Sequence, residues 1–148
     1  MDELKKSEDR LKAQTEDTVC MELVVMACQT DTIWMQGILE IRLNGEKPYN
    51  DSDIIDIEEL LKSIEQDGEY TIFSCCCGVP ACSSWEKGIQ VIHSDQSISW
   101  TNLNTGKTWC FDKQKIQEDL NNIREEVESY KRFFQQKDIE YVGVGYNW

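Results

Sequence analysis

Apolar residues occupy alternate positions in two stretches near the start of the chain, at 19–25 and at 33–43. Mostly polar residues fill the positions between them in the second stretch, which is typical of a strand with one buried face. The polar residues 29–32 predict a hairpin connection, and the turn residues 44–48 end the second strand. The sequence therefore predicts an antiparallel hairpin.

Helical spacing occurs in two other segments. Ile57, Leu60, Leu61 and Ile64 predict a short helix, for which Asp51-Ser52-Asp53 supplies the N-cap and Asp67-Gly68 the stop. Apolar residues then recur at steps of four and three from Ile116 to Phe134, which predicts a long amphipathic helix that covers the sheet. Asp112 is its expected cap. The same spacing also fits, with weaker support, a helix-pair or dimer seam.

The remaining pattern completes an α+β fold class, with an antiparallel sheet, a short acidic helix and a long amphipathic helix. A strand is expected at 70–73, a small antiparallel meander at 86–111 and an edge strand at 142–148. Residues 1–18 are almost entirely polar and are read as a frayed tail or a loose helix. The domain prediction is thus one domain, 19–148, with a zinc-binding segment at 73–100.

Charge narrows the classes of partner. Among 148 residues, 28 acids against 15 bases give a formal net charge of -13. Nucleic acid and anionic membranes repel such a surface, whereas basic proteins attract it. No apolar run approaches the roughly 20 residues that cross a bilayer, and the amino end has no apolar segment of a secretory signal. We therefore expect a cytoplasmic protein, in a host bacterial cytoplasm.

The acids are concentrated in one segment, residues 51–69, which carries eight acids and one base. This gives -7, over half of the net charge. The residues expected to bind a partner are Asp53, Asp56, Glu58, Glu59 and Glu65. The plainer interpretation is a solvated helix face that keeps the protein soluble. Neighbouring aromatics that would either join the contact or pack internally are Trp34, Tyr146 and Trp148.

The cysteines form the one constellation with distinctive chemistry. Four of the seven lie in Cys75-Cys76-Cys77-Gly78-Val79-Pro80-Ala81-Cys82. Side chains alternate along an extended chain, so Cys75 and Cys77 point to one side, and a turn at Gly78 and Pro80 returns Cys82 toward them. His93 follows on the next strand. Three thiolates and an imidazole suit tetrahedral Zn²⁺, so we predict a structural zinc site at Cys75, Cys77, Cys82 and His93.

Several alternatives to this ligand set stay open. Free cysteines are often small buried hydrophobes, and a single histidine is often an ordinary core or surface residue. Cys76 and Cys110 are the substitutes if a proposed ligand fails. Cys20 and Cys28 are interpreted as core residues of a strand. Adjacent thiols can also act as a redox switch, because they oxidise readily.

Catalytic motifs are missing from the sequence. His93 is the one histidine and no G-x-S-x-G turn precedes it, and no phosphate-binding loop or dinucleotide fingerprint is present. Four protein ligands would also leave the zinc no open position for catalysis. The sequence therefore favours a protein that is not an enzyme.

Two resemblances extend this interpretation. The stretch from Phe73 to Trp100, with C-x-C-G-x-x-x-C, then Gly88-Ile89-x-Val91-x-His93, then Ile98-x-Trp100, resembles a module of small uncharacterised bacterial and phage proteins. It covers about a fifth of the chain and implies a metal knuckle inside a sheet. This chain departs from it at Cys76, which makes the ligand set ambiguous.

The acidic, cysteine-clustered character as a whole resembles the metal-containing phage anti-CRISPR proteins that inhibit the type II RNA-guided nuclease. That resemblance implies a non-enzymatic inhibitor, monomeric or dimeric, that binds the nuclease directly and blocks its DNA engagement. Such nucleases expose basic channels, for which an acidic protein can compete. An immunity protein against a basic toxin nuclease is the alternative, and a zinc- or thiol-dependent enzyme is a weaker one.

Overall fold

A computed structural model of the protein describes residues 17–77, 82 and 85–148. These residues form an α+β fold with antiparallel-rich sheets and two helices, as predicted. The elements in chain order are β1 (Val19–Gln29), β2 (Ile33–Leu43), β3 (Asp53–Ile55), α1 (Ile57–Glu65), β4 (Gly68–Tyr70), β5 (Phe73–Cys75), β6 (Ile89–His93), β7 (Ser97–Asn102), β8 (Thr108–Asp112), α2 (Lys113–Gln136) and β9 (Tyr141–Val144). The predicted tail falls almost wholly on residues 1–16, which lie outside the described part.

The first sheet contains the predicted hairpin. β1 pairs antiparallel with β2 along its full length, from Val19 opposite Leu43 to Gln29 opposite Ile33. The edge strand expected at 142–148 is confirmed only in its first half: β9 begins at Tyr141, lies parallel to β2 and ends at Val144, because Gly145 leaves the extended conformation with a φ of +84°. The strand order is β1-β2-β9, so β2 is central.

The second sheet contains the predicted meander. β6, β7 and β8 pair antiparallel in sequence, and β4 joins as the outer strand beside β6. Alternate side chains of these strands enter the core, where Trp100 makes edge-to-face contacts with Phe73 and Phe111. Period-two alternation in the sequence thus corresponds to one buried face.

The prediction of one strand over residues 70–73 is wrong, because two different strands end and begin there. β4 ends at Tyr70 in the four-stranded sheet, whereas β5 begins at Phe73 and pairs with β3 in a separate two-stranded sheet. Ile72 lies between them fully buried, and its carbonyl accepts a hydrogen bond from the Asp56 amide at 2.8 Å. The stretch resembles one strand in sequence because Tyr70, Ile72 and Phe73 are all buried although they belong to different elements.

The expected start of the short helix is also wrong. α1 begins at Ile57, and its N-cap is Asp56, whose Oδ1 accepts from the amides of Glu58 at 3.1 Å and Glu59 at 3.3 Å. Asp53 is instead part of β3, opposite Cys75. The stop after residue 66 is confirmed, since α1 ends at Glu65.

The long helix agrees with its prediction. Asp112 caps α2 by accepting from the Gln114 amide, and the buried residues are Ile116, Leu120, Ile123, Val127 and Phe134. α2 also binds the free edge of β1, because Asp119 Oδ2 accepts from the Met21 amide at 2.9 Å. Among the described residues, no helix has the length and apolar character needed to cross a membrane.

Candidate functional site

The thiol cluster is built at the end of β5. Cys75 is half-buried, and Cys76, Cys77 and Cys82 are exposed. Negative charge on Cys75 is the main cause that raises the pKa of Cys76 above its ordinary value, with a hydrogen bond between the two thiols next. A hydrogen bond with Cys77, followed by the charge of Cys77, raises the pKa of Cys82, and Cys75 adds to this effect. The fold therefore brings these thiols within interaction range of one another.

One ring nitrogen of His93 forms a hydrogen bond with the backbone of α1. Its Nε2 lies 2.7 Å from the Ser63 carbonyl oxygen in the last turn of α1, and its backbone amide donates to Asp67 Oδ1 at 2.8 Å. A carbonyl can only accept, so Nε2 carries the proton in this bond. The sequence did not indicate this contact, because Ser63 lies thirty positions earlier in the chain.

The described thiols interact in pairs without forming a complete ligand set. In the ranges 17–77 and 85–148, together with residue 82, no group of three or more His, Cys, Asp or Glu side chains is arranged to hold a metal ion. The turn predicted at Gly78 and Pro80 lies outside the described residues.

The other cysteines lie away from the core. The interpretation of Cys20 as a core residue is wrong, since Cys20 is exposed and Cys28 is only half-buried. Both occupy even positions of β1, whose odd positions face the core. The Cys28 thiol donates to Gln36 Oε1 at 3.3 Å, and Cys110 on β8 is bound through its amide to Asp17 at 2.7 Å.

The carboxylates of residues 51–69, which we call the acidic segment, lie on and beside α1. Glu58 and Glu65 are exposed, while Glu59 and the capping Asp56 are half-buried. Asp53 is only 6% exposed. Its Oδ2 accepts from Trp85 Nε1 at 2.9 Å and from the Asn50 amide at 3.0 Å, so Asp53 supports the fold beneath the segment and does not lie on its surface.

Exposed acids that the partner prediction omitted complete this segment: Asp51, Asp67 and Glu69. With Asp53 excluded, seven acids remain against the single base Lys62, a local charge of -6. The ion pairs found among the described residues involve none of these acids. The longer helix α2 differs, because its sequence balances five acids with five bases.

The carboxyl-terminal aromatics pack internally. Tyr146 is 8% exposed and shares a 2.5 Å hydrogen bond with the hydroxyl of Tyr141. Burial is the main cause that raises the pKa of Tyr146 well above its ordinary value. Trp148 packs against this core, with the Arg124 guanidinium 4.9 Å from its ring centre. Of the three aromatics considered for a contact surface, Trp34 is the one that neither belongs to the core cluster of the described residues nor packs against it.

A groove of about 510 Å³ lies between segment 43–50 and the turn at 102–107. Tyr49, Trp85 and Trp109 form its walls, which come from three separate parts of the chain and so gave no local signal in the sequence. Neither histidine nor cysteine is among its described lining residues. Its lysines are already engaged, Lys47 with Glu40 at 2.8 Å and Lys107 over the Trp109 ring at 5.3 Å.

No protein-family model, no curated protein and no solved structure matches the chain.

Proposed function

We propose that the protein is an acidic binding protein that inhibits a nucleic-acid-handling enzyme by occupying a basic surface, with a type II CRISPR effector nuclease as the expected target. The observation that supports this proposal is the acidic segment. Seven of its carboxylates are exposed or half-buried, beside one lysine. Because ion pairs do not neutralise these carboxylates within the described part of the chain, their field is available to a partner.

The physical basis of inhibition is competition for a channel. RNA-guided nucleases hold their heteroduplex in a positively charged channel and recognise it through its backbone. A surface that presents several carboxylates can pair with the same lysines and arginines. Electrostatic attraction also accelerates the encounter, so charge acts on the association rate more than on the lifetime of the complex.

The segment is ordered before it binds. Ile57 and Leu60 anchor α1 in the core at 3% and 0% exposure, and Asp56 holds its first turn. The carboxylates of Glu58 and Glu65 therefore project from a fixed helix. A preformed surface loses less conformational entropy on binding than a flexible acidic tail of the same charge.

Zinc belongs to this proposal as a structural element. The ligands we propose are Cys75, Cys77 and Cys82, whose thiolates suit a soft tetrahedral ion. His93 can supply Nδ1 as the fourth ligand while its Nε2–H stays on the Ser63 carbonyl, and Cys76, which interacts with Cys75, is the alternative fourth ligand. The ion would link Cys75, Cys77 and Cys82 without taking part in a reaction.

The test is a titration of purified nuclease activity against this protein. Inhibition should saturate near one inhibitor per nuclease and leave the mass of the nuclease unchanged. The triple variant Glu58→Lys, Glu59→Lys, Glu65→Lys should slow association by about tenfold or more, with a smaller effect on dissociation. Asp56 is left intact because it caps α1.

The matched control places the same charge change on α2, as Glu125→Lys, Glu126→Lys, Glu128→Lys. This control should retain most of the association rate. Raising salt from about 0.05 to 0.5 M should weaken binding of the unmodified protein, because the Debye length shortens to below about 5 Å. Equal effects of the two triple variants, or full inhibition far below one inhibitor per nuclease, would contradict the proposal.

A further inference from the structure

The sheet β1-β2-β9 has apolar side chains on both of its faces. Its inner face enters the core through residues such as Leu39 and Ile41, at 2% and 0% exposure. On the opposite side, the register places Val24 opposite Ile38 and Cys28 opposite Trp34. We define the outer face by its seven apolar or weakly polar side chains: Val24, Met26, Cys28, Trp34, Ile38, Val142 and Val144.

These side chains lack cover within the described part of the chain. Met26 is 46% exposed and the other six are half-buried. None of them belongs to the core cluster or to the described residues that pack against it. Six apolar side chains and one thiol on three adjacent strands form a contiguous patch, and the largest apolar patch on a protein surface is often an interaction site.

The second sheet provides an internal comparison. The side of β6 and β7 that faces away from the core carries Gln90, Ser99 and Thr101, with Ile92 as an isolated apolar residue. This is the usual composition of a solvated face of an antiparallel sheet. The outer face of β1-β2-β9 departs from it in three neighbouring strands.

The balance of charged side chains at one end of this face bears on which partner can bind it. At the end away from the hairpin turn, the charged groups are Glu22, Glu40 and Arg42, together with Lys47. Glu40 lies 2.8 Å from the Lys47 ammonium and 3.7 Å from the Arg42 guanidinium. Two acids and two bases sum to zero, in a chain whose net charge is -13.

We propose that two copies of this chain associate through their outer faces. Two acidic molecules can meet here without bringing their acidic segments together, whereas a basic partner finds two acids offset by two bases at this end of the face. A two-fold axis lying in the interface would make the contact self-complementary, with the two sheets about 10 Å apart. This proposal is independent of the proposed function, which uses the acidic segment.

The size of the face sets the strength expected. Two strands with about eight residues each and β9 with four residues, at about 3.3 Å per residue and about 4.8 Å between strands, give roughly 320 Å² per copy. This is less than half of the roughly 800 Å² that each partner contributes to a standard interface. The dimer should therefore be reversible, with a dissociation constant in the micromolar range or weaker.

The experiment is analytical ultracentrifugation of the full chain from about 1 to 500 µM, with a reducing agent because several cysteines are exposed. The average mass should rise with concentration from 17.2 kDa toward twice that value. Added salt should strengthen this association, because it screens the repulsion between two acidic chains. Salt should weaken the binding to a basic nuclease, so the two proposals fail separately.

Two variants place a charge on the face. Ile38→Lys and Gln36→Lys should each weaken the dimer at least tenfold, and Gln36 is already polar, so its replacement leaves the folded sheet in place. The control is Ile92→Lys, which changes a side chain that is 51% exposed on the other sheet. Circular dichroism checks that each variant is folded. The proposal would be overturned if the wild-type chain stays monomeric at 500 µM, even where another protein is found to cover the face. It would also be overturned if Ile92→Lys weakens the dimer as much as the two variants on the outer face.

Discussion

At the scale of single residues, Gly37 decides how closely the end of the chain packs on β2. The hydroxyls of Tyr141 and Tyr146 lie over it and share a 2.5 Å hydrogen bond. A Cβ at this position would overlap Tyr141 Oη and would lie 2.5 Å from Tyr146 Oη. The alternating pattern of the strand is compatible with any apolar residue at this position, but the two tyrosine hydroxyls leave room only for glycine.

Gly37→Ala should therefore destabilise the protein although alanine favours a strand no less than glycine. Forcing a methyl group into a filled space costs typically 1–3 kcal/mol of unfolding free energy. Urea unfolding measures this cost. Adding Tyr141→Phe removes the overlapping oxygen, so the double variant should lose less stability than the sum of the two single changes; an additive result would show that the overlap is relieved elsewhere.

Thiol reactivity is a second property of individual residues. The charge of Cys75 raises the pKa of Cys76, so Cys76 holds less thiolate at a given pH than an isolated cysteine does. Cys75→Ser should lower the pKa of Cys76 and speed its alkylation at pH 8 by about two- to fivefold, because the thiolate is the nucleophile.

Mass spectrometry of the alkylated peptide follows this rate in protein freed of metal by a chelator. The control is Cys110→Ser, which removes a half-buried thiol on β8. The interaction within the cluster is refuted if Cys75→Ser leaves the rate at Cys76 unchanged, or if Cys110→Ser raises it equally.

At the scale of elements, α1 shows how a three-residue strand displaces a helix start. Asp51, Asp53 and Asp56 are all suitable N-cap residues by type. β3 pairs Asp53 with Cys75 and Ile55 with Phe73, so the backbone remains extended until Asp56. The pairing with β5 comes from residues eighteen to twenty-two positions later, which no local window includes.

Asp56→Ala should cost about 1 kcal/mol of unfolding free energy, because two amides of the first turn lose their acceptor. Asp51→Ala removes the same charge from an exposed turn and should change stability by less than about 0.5 kcal/mol. Thermal or urea unfolding compares the two. Similar losses in both variants would mean that charge, rather than capping, is what is measured.

At the scale of the whole molecule, charge and apolar surface are separated. The acidic segment carries -6 on and beside α1, while the outer face of β1-β2-β9 is apolar with balanced charges at one end. A protein arranged in this way can bind a basic partner with one surface and a copy of itself with another. Zinc bound by Cys75, Cys77 and Cys82 would tie these thiols to β5, which pairs with β3 just ahead of α1.

Elemental analysis of protein purified without chelator should find about one zinc per chain. Cys82→Ser should lose the zinc and much stability, since structural zinc supplies roughly 10–16 kcal/mol of apparent free energy in small peptides. Cys20→Ser, at an exposed cysteine of β1, is the matched control and should keep the metal. Protein without zinc and with every thiol free would exclude the metal prediction.

The sequence by itself determined those elements whose pattern is local. Alternation over 19–25 and 33–43 predicted the hairpin, and the four-and-three spacing from Ile116 predicted α2 together with its cap at Asp112. Hydrophobic periodicity is sufficient for such elements because each buries one face regardless of its neighbours. The concentration of acids at 51–69 was likewise visible without a structure, and so was the grouping of the thiols at 75–82.

Only the tertiary structure decided which of those residues are accessible and what they contact. Asp53 is buried, with Trp85 and Asn50 donating hydrogen bonds to its carboxylate. Cys20 is exposed because the odd-numbered residues of β1, such as Val19 and Met21, face the core. His93 forms a hydrogen bond with the Ser63 carbonyl. The apolar outer face also follows from pairing, since β9 reaches β2 from more than a hundred positions away. Such contacts join distant segments, and composition or spacing within one segment carries no information about them.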